Sequence, residues 1–210
     1  MRVGDVIENP VTGERGIAIE GTDEIGGERI VAEVHVRPGG AVLGEHLHPD
    51  IEESFEVVRG TVGFRVDGRE STGGPGTSVT IPPGVWHDWW NAGEEETVFR
   101  VEISPGQRFE QMIRTLFGLA LDGKTNRKGM PRPLQLAVIA NDFDDVIQFR
   151  RPPRAVQKAL FGALAPIGRI RGYRSIYPRY AEAASMGTPE QVRSGAALTL
   201  RFGDGPGPPR

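Results

Sequence analysis

The 210-residue sequence predicts a mainly β fold that is followed by a C-terminal α-helical extension. Up to residue 104, apolar and polar side chains alternate in short runs that are separated by turn residues, which is typical of antiparallel strands. The 29 glycines and 17 prolines supply those turns. Beyond residue 104, apolar residues recur every three or four positions, which is the period of a helix. We therefore expect about nine strands in a closed or sandwiched sheet, and then helices.

The strand over residues 28–37 shows the alternation well. Its apolar set is expected to face the core, and consists of Ile30, Ala32, Val34 and Val36. His35 then falls beside Glu33 on the outer face, where we expect a solvated surface histidine rather than a ligand. Further along, Asp67-Gly68 predicts a two-residue hairpin turn, and the last strand ends near Ile103.

Two histidines stand two positions apart in residues 40–60, at His46 and His48. Residues at this spacing on a strand point to the same face, so both imidazoles are expected to converge. Glu52 and Glu53 follow closely. Imidazoles beside a carboxylate favour a transition-metal site.

The alternation selects between the two glutamates. If Glu53 points inward, then Phe55 and Val57 point inward with it. If Glu52 points inward, Glu56 follows, and a second carboxylate is buried without an evident partner, which is costly. We therefore predict that Glu53 faces inward and that Glu52 and Glu56 face solvent.

A third histidine, His87, lies in residues 76–91 and shares its parity with Trp89. Both are expected to face inward, so three of the four histidines would share one metal ion inside a small β-barrel. The alternative is that these histidines are hydrogen-bonded core residues that bind no metal. Four aromatic residues share the inward parity and are expected either to line a pocket or to pack in the core: Phe55, Phe64, Trp89 and Phe99.

The region after the strands is predicted to form several helices. Ser104-Pro105-Gly106-Gln107 has the pattern of a capping box with proline at the first helical position, and the helix should end near Asp122-Gly123. A second helix is expected within residues 134–147, and a third begins at residues 151–153, with Pro166 expected to kink or end it. A short helix is predicted to begin at Thr188.

This pattern divides the chain into three parts. Residues 1–104 form the barrel, residues 105–180 form a helical extension that packs on the barrel or on a dimer partner, and residues 181–210 form a short helix and an irregular tail.

Charge is distributed unevenly. Residues 1–105 carry a net charge of −12 and residues 106–210 a net charge of +9. The basic half is expected to dock on the acidic half, within one chain or across a homodimer; the alternative is an arm for an anionic partner. A membrane surface is a weaker alternative for the basic helix, and we identify no signature of nucleic-acid binding.

Other features of the composition exclude several classes of protein. The sequence has no cysteine, so it has neither disulfides nor thiolate metal ligands, which fits a cytoplasmic location. The first ten residues have no apolar signal-peptide core, and no apolar run reaches the ~18 residues of a membrane-spanning helix.

Two motifs resemble those of the cupin superfamily. Residues 40–60 match G-x5-H-x-H-x4-E-x6-G, and residues 76–91 match G-x5-P-x-G-x2-H-x3-N. The resemblance implies a double-stranded β-helix, the jelly-roll barrel of cupins, and implies four metal ligands: His46, His48, Glu53 and His87. The extension is similar to one found on a group of bacterial cupin-domain proteins of unassigned function.

The ligand set suits one divalent ion of iron, manganese, nickel, copper or zinc, and four protein ligands leave positions open for a substrate. The first hypothesis is a metal-dependent enzyme, oxygenase- or isomerase-like, that acts on a small organic molecule. The second is a non-catalytic, metal-assisted sensor or carrier of a small molecule. No inward polar residue besides the ligands is identified as an acid or base.

Overall fold

The computed structural model describes residues 1–23 and 25–182. The helix predicted from Thr188 and the tail after it lie outside the described residues. The described chain contains the following strands in order: β1 (Val6–Asn9), β2 (Glu14–Glu20), β3 (Ile30–Val36), β4 (His46–Leu47), β5 (Glu52–Arg59), β6 (Val62–Val66), β7 (Arg69–Gly73), β8 (Ser78–Ile81), β9 (His87–Asn91), β10 (Thr97–Ser104) and β11 (Gln148–Phe149).

The strands form two antiparallel sheets with the core between them. One sheet has the order β1-β2-β3-β10-β5-β8, and the other has the order β11-β4-β9-β6-β7. This mainly β structure with helices after it is the predicted fold class. Aromatic rings from the two sheets pack edge to face, with centroids 5.6 Å apart for Phe55 and Phe64 and 5.0 Å apart for Trp89 and Phe99.

The hairpin between β6 and β7 has the predicted two-residue turn. Val66 pairs with Arg69. The two loop residues have positive φ, 48° at Asp67 and 76° at Gly68, and this combination matches the right-handed twist of the strands.

The helices are α1 (Gln107–Leu121), α2 (Pro133–Asp142), α3 (Arg154–Ile170) and α4 (Pro178–Ala181). The predicted capping box is wrong, because Gly106 is the N-cap residue of α1 and no side chain caps this end. Ser104 is still part of β10, and its hydroxyl donates a hydrogen bond to the carbonyl of Glu28.

Pro166 does not end α3, which continues to Ile170. Packing against α2 accounts for this continuation. A Cβ atom on Gly168 would lie 2.6 Å from the side chain of Val138 and 2.9 Å from the carbonyl oxygen of Leu134. This close contact holds the turn beyond Pro166 against α2, so tertiary packing outweighs the local effect of the proline.

The helical extension is fastened to the barrel at two places. In the first, the buried Arg114 of α1 binds Asp5 at 2.9 Å and Glu110 at 2.6 Å, and Glu110 also binds the amino group of Met1 at 2.5 Å. In the second, β11 adds to the second sheet as a neighbour of β4. Among the described residues, no helix has the length and apolar character needed to cross a lipid bilayer.

Candidate metal centre

Four side chains from both sheets meet inside the barrel. His46 lies on β4 directly opposite His87 on β9, His48 follows one residue after β4, and Glu53 lies on β5 of the other sheet. All four are buried, and one potential ligand atom from each lies within 4.8 Å of the other three. Glu52 and Glu56 are exposed, as the alternation predicts. The structure thus brings together the four residues that the motifs single out.

Backbone carbonyls determine the tautomer of each imidazole. In every case Nδ1 donates a hydrogen bond to a carbonyl oxygen, which can only accept. Nε2 therefore presents a lone pair, which is the arrangement that metal-bound histidines use. The three pairs are His46 with Gly44 at 2.8 Å, His48 with Val146 at 2.6 Å, and His87 with Val85 at 3.0 Å.

The atoms that face the centre of the cluster lack hydrogen-bond donors. The Nε2 atoms of His48 and His87 and the Oε2 atom of Glu53 are buried and accept no hydrogen bond from any described residue. Nε2 of His87 lies 3.0 Å from Oε2 of Glu53, and Nε2 of His48 lies 3.5 Å from Oε1. Buried acceptors that face one another need a cation between them.

A proton and a metal ion are the two cations that could serve. The carboxylate of Glu53 outweighs the effect of burial and holds the pKa of His87 above its ordinary value, so this pair could share a proton. One proton does not satisfy His46 as well. Burial, together with the charges of His48 and His87, lowers the pKa of His46 to about 3. A metal ion would satisfy all of these acceptors at once.

The protonation states suit a metal ion. Burial alone would raise the pKa of Glu53, but the neighbouring His48 and His87 outweigh it and lower that pKa to about 2. At neutral pH the cluster therefore offers an ionised carboxylate and a neutral His46, which are the forms that bind metal.

The cluster opens into an apolar cavity of about 120 Å³. Phe55, Trp89 and Phe99 line it, whereas Phe64 is not among the lining residues and packs behind Phe55 with ring centroids 5.6 Å apart. The helical extension supplies a large part of the wall. Its contributions are Phe109, Met112, Ile113, Leu116, Phe117, Ile147 and Phe149.

Comparison with known proteins agrees with this geometry. A family model described as "Cupin domain" matches residues 32–107, which include all four side chains of the cluster. The chain therefore contains a cupin domain over these residues. No curated protein matches this cupin in sequence.

Several solved structures are similar to this cupin at low identity. A sugar phosphate isomerase from Silicibacter pomeroyi is 23% identical, with a TM-score of 0.40, over 45% of this chain and 60% of that one. The polyketide cyclase RemF from Streptomyces resistomycificus is 23% identical, with a TM-score of 0.40, over 44% of this chain and 66% of that one. An oxalate decarboxylase from Lactobacillus farciminis is 23% identical, with a TM-score of 0.41, over 49% of this chain and 31% of that one. This chain therefore spans less than two thirds of the length of each.

Three features of this cupin's site were not identified from the sequence. The first is the backbone carbonyl of Val146, which orients His48 and which no side-chain pattern could indicate. The second is Phe109, whose ring centroid lies 5.7 Å from that of His48 but which the sequence does not distinguish from other apolar helix residues. Glu14 also lines the cavity. Its signal was present, because it shares the parity of Gly16 and Ala18, which line the cavity as well.

The fourth histidine of this cupin corrects an expectation. His35 lies on the sheet face away from the cavity, as predicted, but it is buried and not solvated, with 9% of its surface exposed. Its Nε2 atom lies 2.9 Å from Glu33 and its Nδ1 atom 3.1 Å from Glu96. Both neighbours are carboxylates, and they flank the ring and cover it.

Proposed function

We propose that this cupin binds one divalent transition-metal ion through His46, His48, Glu53 and His87. The observation that supports the proposal best is the set of buried imidazole and carboxylate acceptors that face one another without a donor. Three nitrogens and one oxygen suit iron, manganese, nickel, copper or zinc, and the residues do not select among these.

We propose further that the metal site acts on a small organic molecule, in an oxygenase- or isomerase-like reaction. A bound metal would supply Lewis-acid or redox chemistry. The carbonyls of Gly44, Val85 and Val146 orient the imidazoles. The apolar wall excludes water, which strengthens electrostatic interactions inside the cavity.

The size and character of the cavity support a small and mainly apolar ligand. Its volume of about 120 Å³ is roughly ten times the 10–15 Å³ that a single water requires on the same measure. Among the described residues that line it, the ionisable side chains are Glu14, Glu53, His46 and His48. A strongly charged molecule would find few partners there.

Metal content and one matched pair of variants test the metal site. Purified wild-type protein should contain close to one equivalent of metal by elemental analysis, and His48→Ala should lose most of it. His35→Ala is the control, because it removes a buried histidine on the far face of the sheet. Circular dichroism should show that both variants remain folded. Equal metal retention by the folded His48→Ala variant would refute the assignment.

Non-catalytic binding is the second candidate, and the predominantly apolar lining of the cavity favours it. A sensor or carrier needs affinity but no proton transfer. Incubation of a bound organic ligand with the metal-loaded protein, followed by mass spectrometry, separates the two. Recovery of chemically unchanged ligand after many hours supports the carrier, and a new product supports the enzyme.

A second copy of the chain is the partner that we propose. Several apolar residues of the basic helix α3 are largely exposed: Val156, Leu160, Ile167 and Ile170. The barrel half of the sequence has a net charge of −12, which is opposite in sign to the charge of this helix and favours its docking on another copy.

A further inference from the structure

Glu14 lies at the other end of the cavity from the metal cluster. It is the first residue of β2 and pairs with Val36, the last residue of β3. Glu53 pairs with Ile103, whose other neighbour is Ile30, the first residue of β3. The two carboxyl groups are thus separated along the length of β3, and both line the same cavity.

The surroundings of Glu14 do not explain a buried carboxyl group. It is 8% exposed, and no described basic residue forms an ion pair with it. On the neighbouring strands it pairs with Asn9 and Val36, neither of which is charged. The other ionisable side chains on the cavity wall belong to the metal cluster, and the amino group of Met1, which also lines the cavity, binds Glu110. Burial of a carboxyl group without a basic partner is costly and calls for a reason.

A second polar group lies beside Glu14. Asn9 stands directly across from it in the β1–β2 pair, so the two side chains share a face of the sheet. Asn9 is fully buried, and its amide oxygen accepts hydrogen bonds from the backbone N–H groups of Val11 and Thr12. Its amide nitrogen has no hydrogen-bond partner among the described residues. This end of the barrel therefore holds both an acceptor and an unused donor.

We propose that Glu14 is the second polar anchor of the cavity and binds a hydroxyl group of the ligand. The groups at the two ends of the cavity define the class of ligand. It is a small, mainly apolar molecule that has metal-binding oxygen atoms at one end and a hydroxyl group at the other. The metal-binding end rests on the function proposed above, whereas the hydroxyl end rests on Glu14 alone.

The protonation of Glu14 suits this role. Burial outweighs the effect of the Thr12 hydroxyl and raises the pKa of the Glu14 carboxyl to about 7. Near neutral pH the group is thus present in both forms, and the ionised form is the stronger acceptor for a hydroxyl group. In an enzyme, the same group could accept a proton from that hydroxyl.

Phenol and toluene form a probe pair for this anchor. They have nearly the same shape, but only phenol carries a hydroxyl group, and neither requires the metal to enter an apolar cavity. Their affinities for the full-length protein can be measured by calorimetry, or by the fluorescence of Trp89 in the cavity wall. The wild-type protein is compared at pH 8 with Glu14→Leu, which removes the acceptor, and Glu14→Gln, which retains a weaker one.

Wild-type protein should bind phenol about tenfold or more tightly than toluene, because a hydrogen bond to a charged group stabilises the complex. Glu14→Leu should lose this preference while toluene binding is retained, and Glu14→Gln should be intermediate. Equal binding of the two probes by wild type, an undiminished preference in either folded variant, or no binding of either probe would each overturn the proposal. None of these results depends on His48, so failure here is distinct from failure of the metal site.

Discussion

The clearest quantitative prediction concerns the pH dependence of stability and the Glu14→Gln variant. Burial raises the pKa of Glu14 from 4.5 to about 7. The folded protein therefore retains a proton that the unfolded chain releases at lower pH. The resulting stabilisation is fully present below pH 4.5 and is lost as the pH rises through 7.

The expected magnitude follows from the same shift. At about 1.4 kcal/mol per pH unit, the shift from 4.5 to about 7 corresponds to a loss of about 3 kcal/mol, most of it between pH 5 and pH 8. The amide that Glu14→Gln introduces cannot ionise, so the variant should not show this part of the decrease. Other titrating groups, including the metal cluster, are common to both proteins and largely cancel in the comparison.

Urea denaturation at pH 5 and pH 8 measures the effect. The decrease in the free energy of unfolding from pH 5 to pH 8 should be larger in wild type than in Glu14→Gln by about 2–3 kcal/mol. Glu56→Gln, which removes an exposed carboxylate on β5, is the control and should behave like wild type. Decreases that agree within about 0.5 kcal/mol in wild type and Glu14→Gln would show that Glu14 is not buried as a neutral acid.

Two further predictions concern the helical extension. Gly118→Ala should lower the free energy of unfolding by about 1–3 kcal/mol, because its Cβ atom would lie 2.4 Å from the ring of Tyr180. Gly162→Ala on the exposed face of α3 is the control. It should raise the free energy of unfolding by up to about 1 kcal/mol, because a Cβ atom there would meet no atom within 4 Å and alanine favours the helix. If chemical denaturation shows the same change in stability for both variants, the packing of Gly118 on Tyr180 is contradicted. Leu160→Glu should lower the molar mass measured by light scattering from dimer to monomer, whereas Val58→Glu on the barrel should not. A wild-type monomer that binds anionic liposomes would instead favour a membrane surface for α3.

The sequence by itself determined the elements of the site that depend on local spacing. Strand alternation was sufficient to choose Glu53 over Glu52, because only that parity avoids a second buried carboxylate in Glu56. The two motifs singled out the three histidines that converge. These inferences succeed because the period of a strand is a property of neighbouring residues.

Local sequence patterns predicted the structure less well at residues whose type is compatible with more than one structural role. Ser104 has the residue type of a helix cap, but β10 extends through it and its hydroxyl binds the carbonyl of Glu28. Pro166 is a residue that commonly ends a helix, but α3 continues beyond it because Gly168 packs closely on α2. His35 has the parity of a surface residue, but two carboxylates flank and cover it.

Only the tertiary structure decided what surrounds the four converging side chains. His48 is oriented by the carbonyl of Val146, which lies 98 positions away along the chain. The helical extension closes the cavity, and the β1–β2 pair places Glu14 at its far end. Contacts of this kind depend on how distant segments pack. A backbone carbonyl leaves no signal in the sequence, and the strand parity of Glu14 indicates the face that it occupies but not the cavity that this face lines.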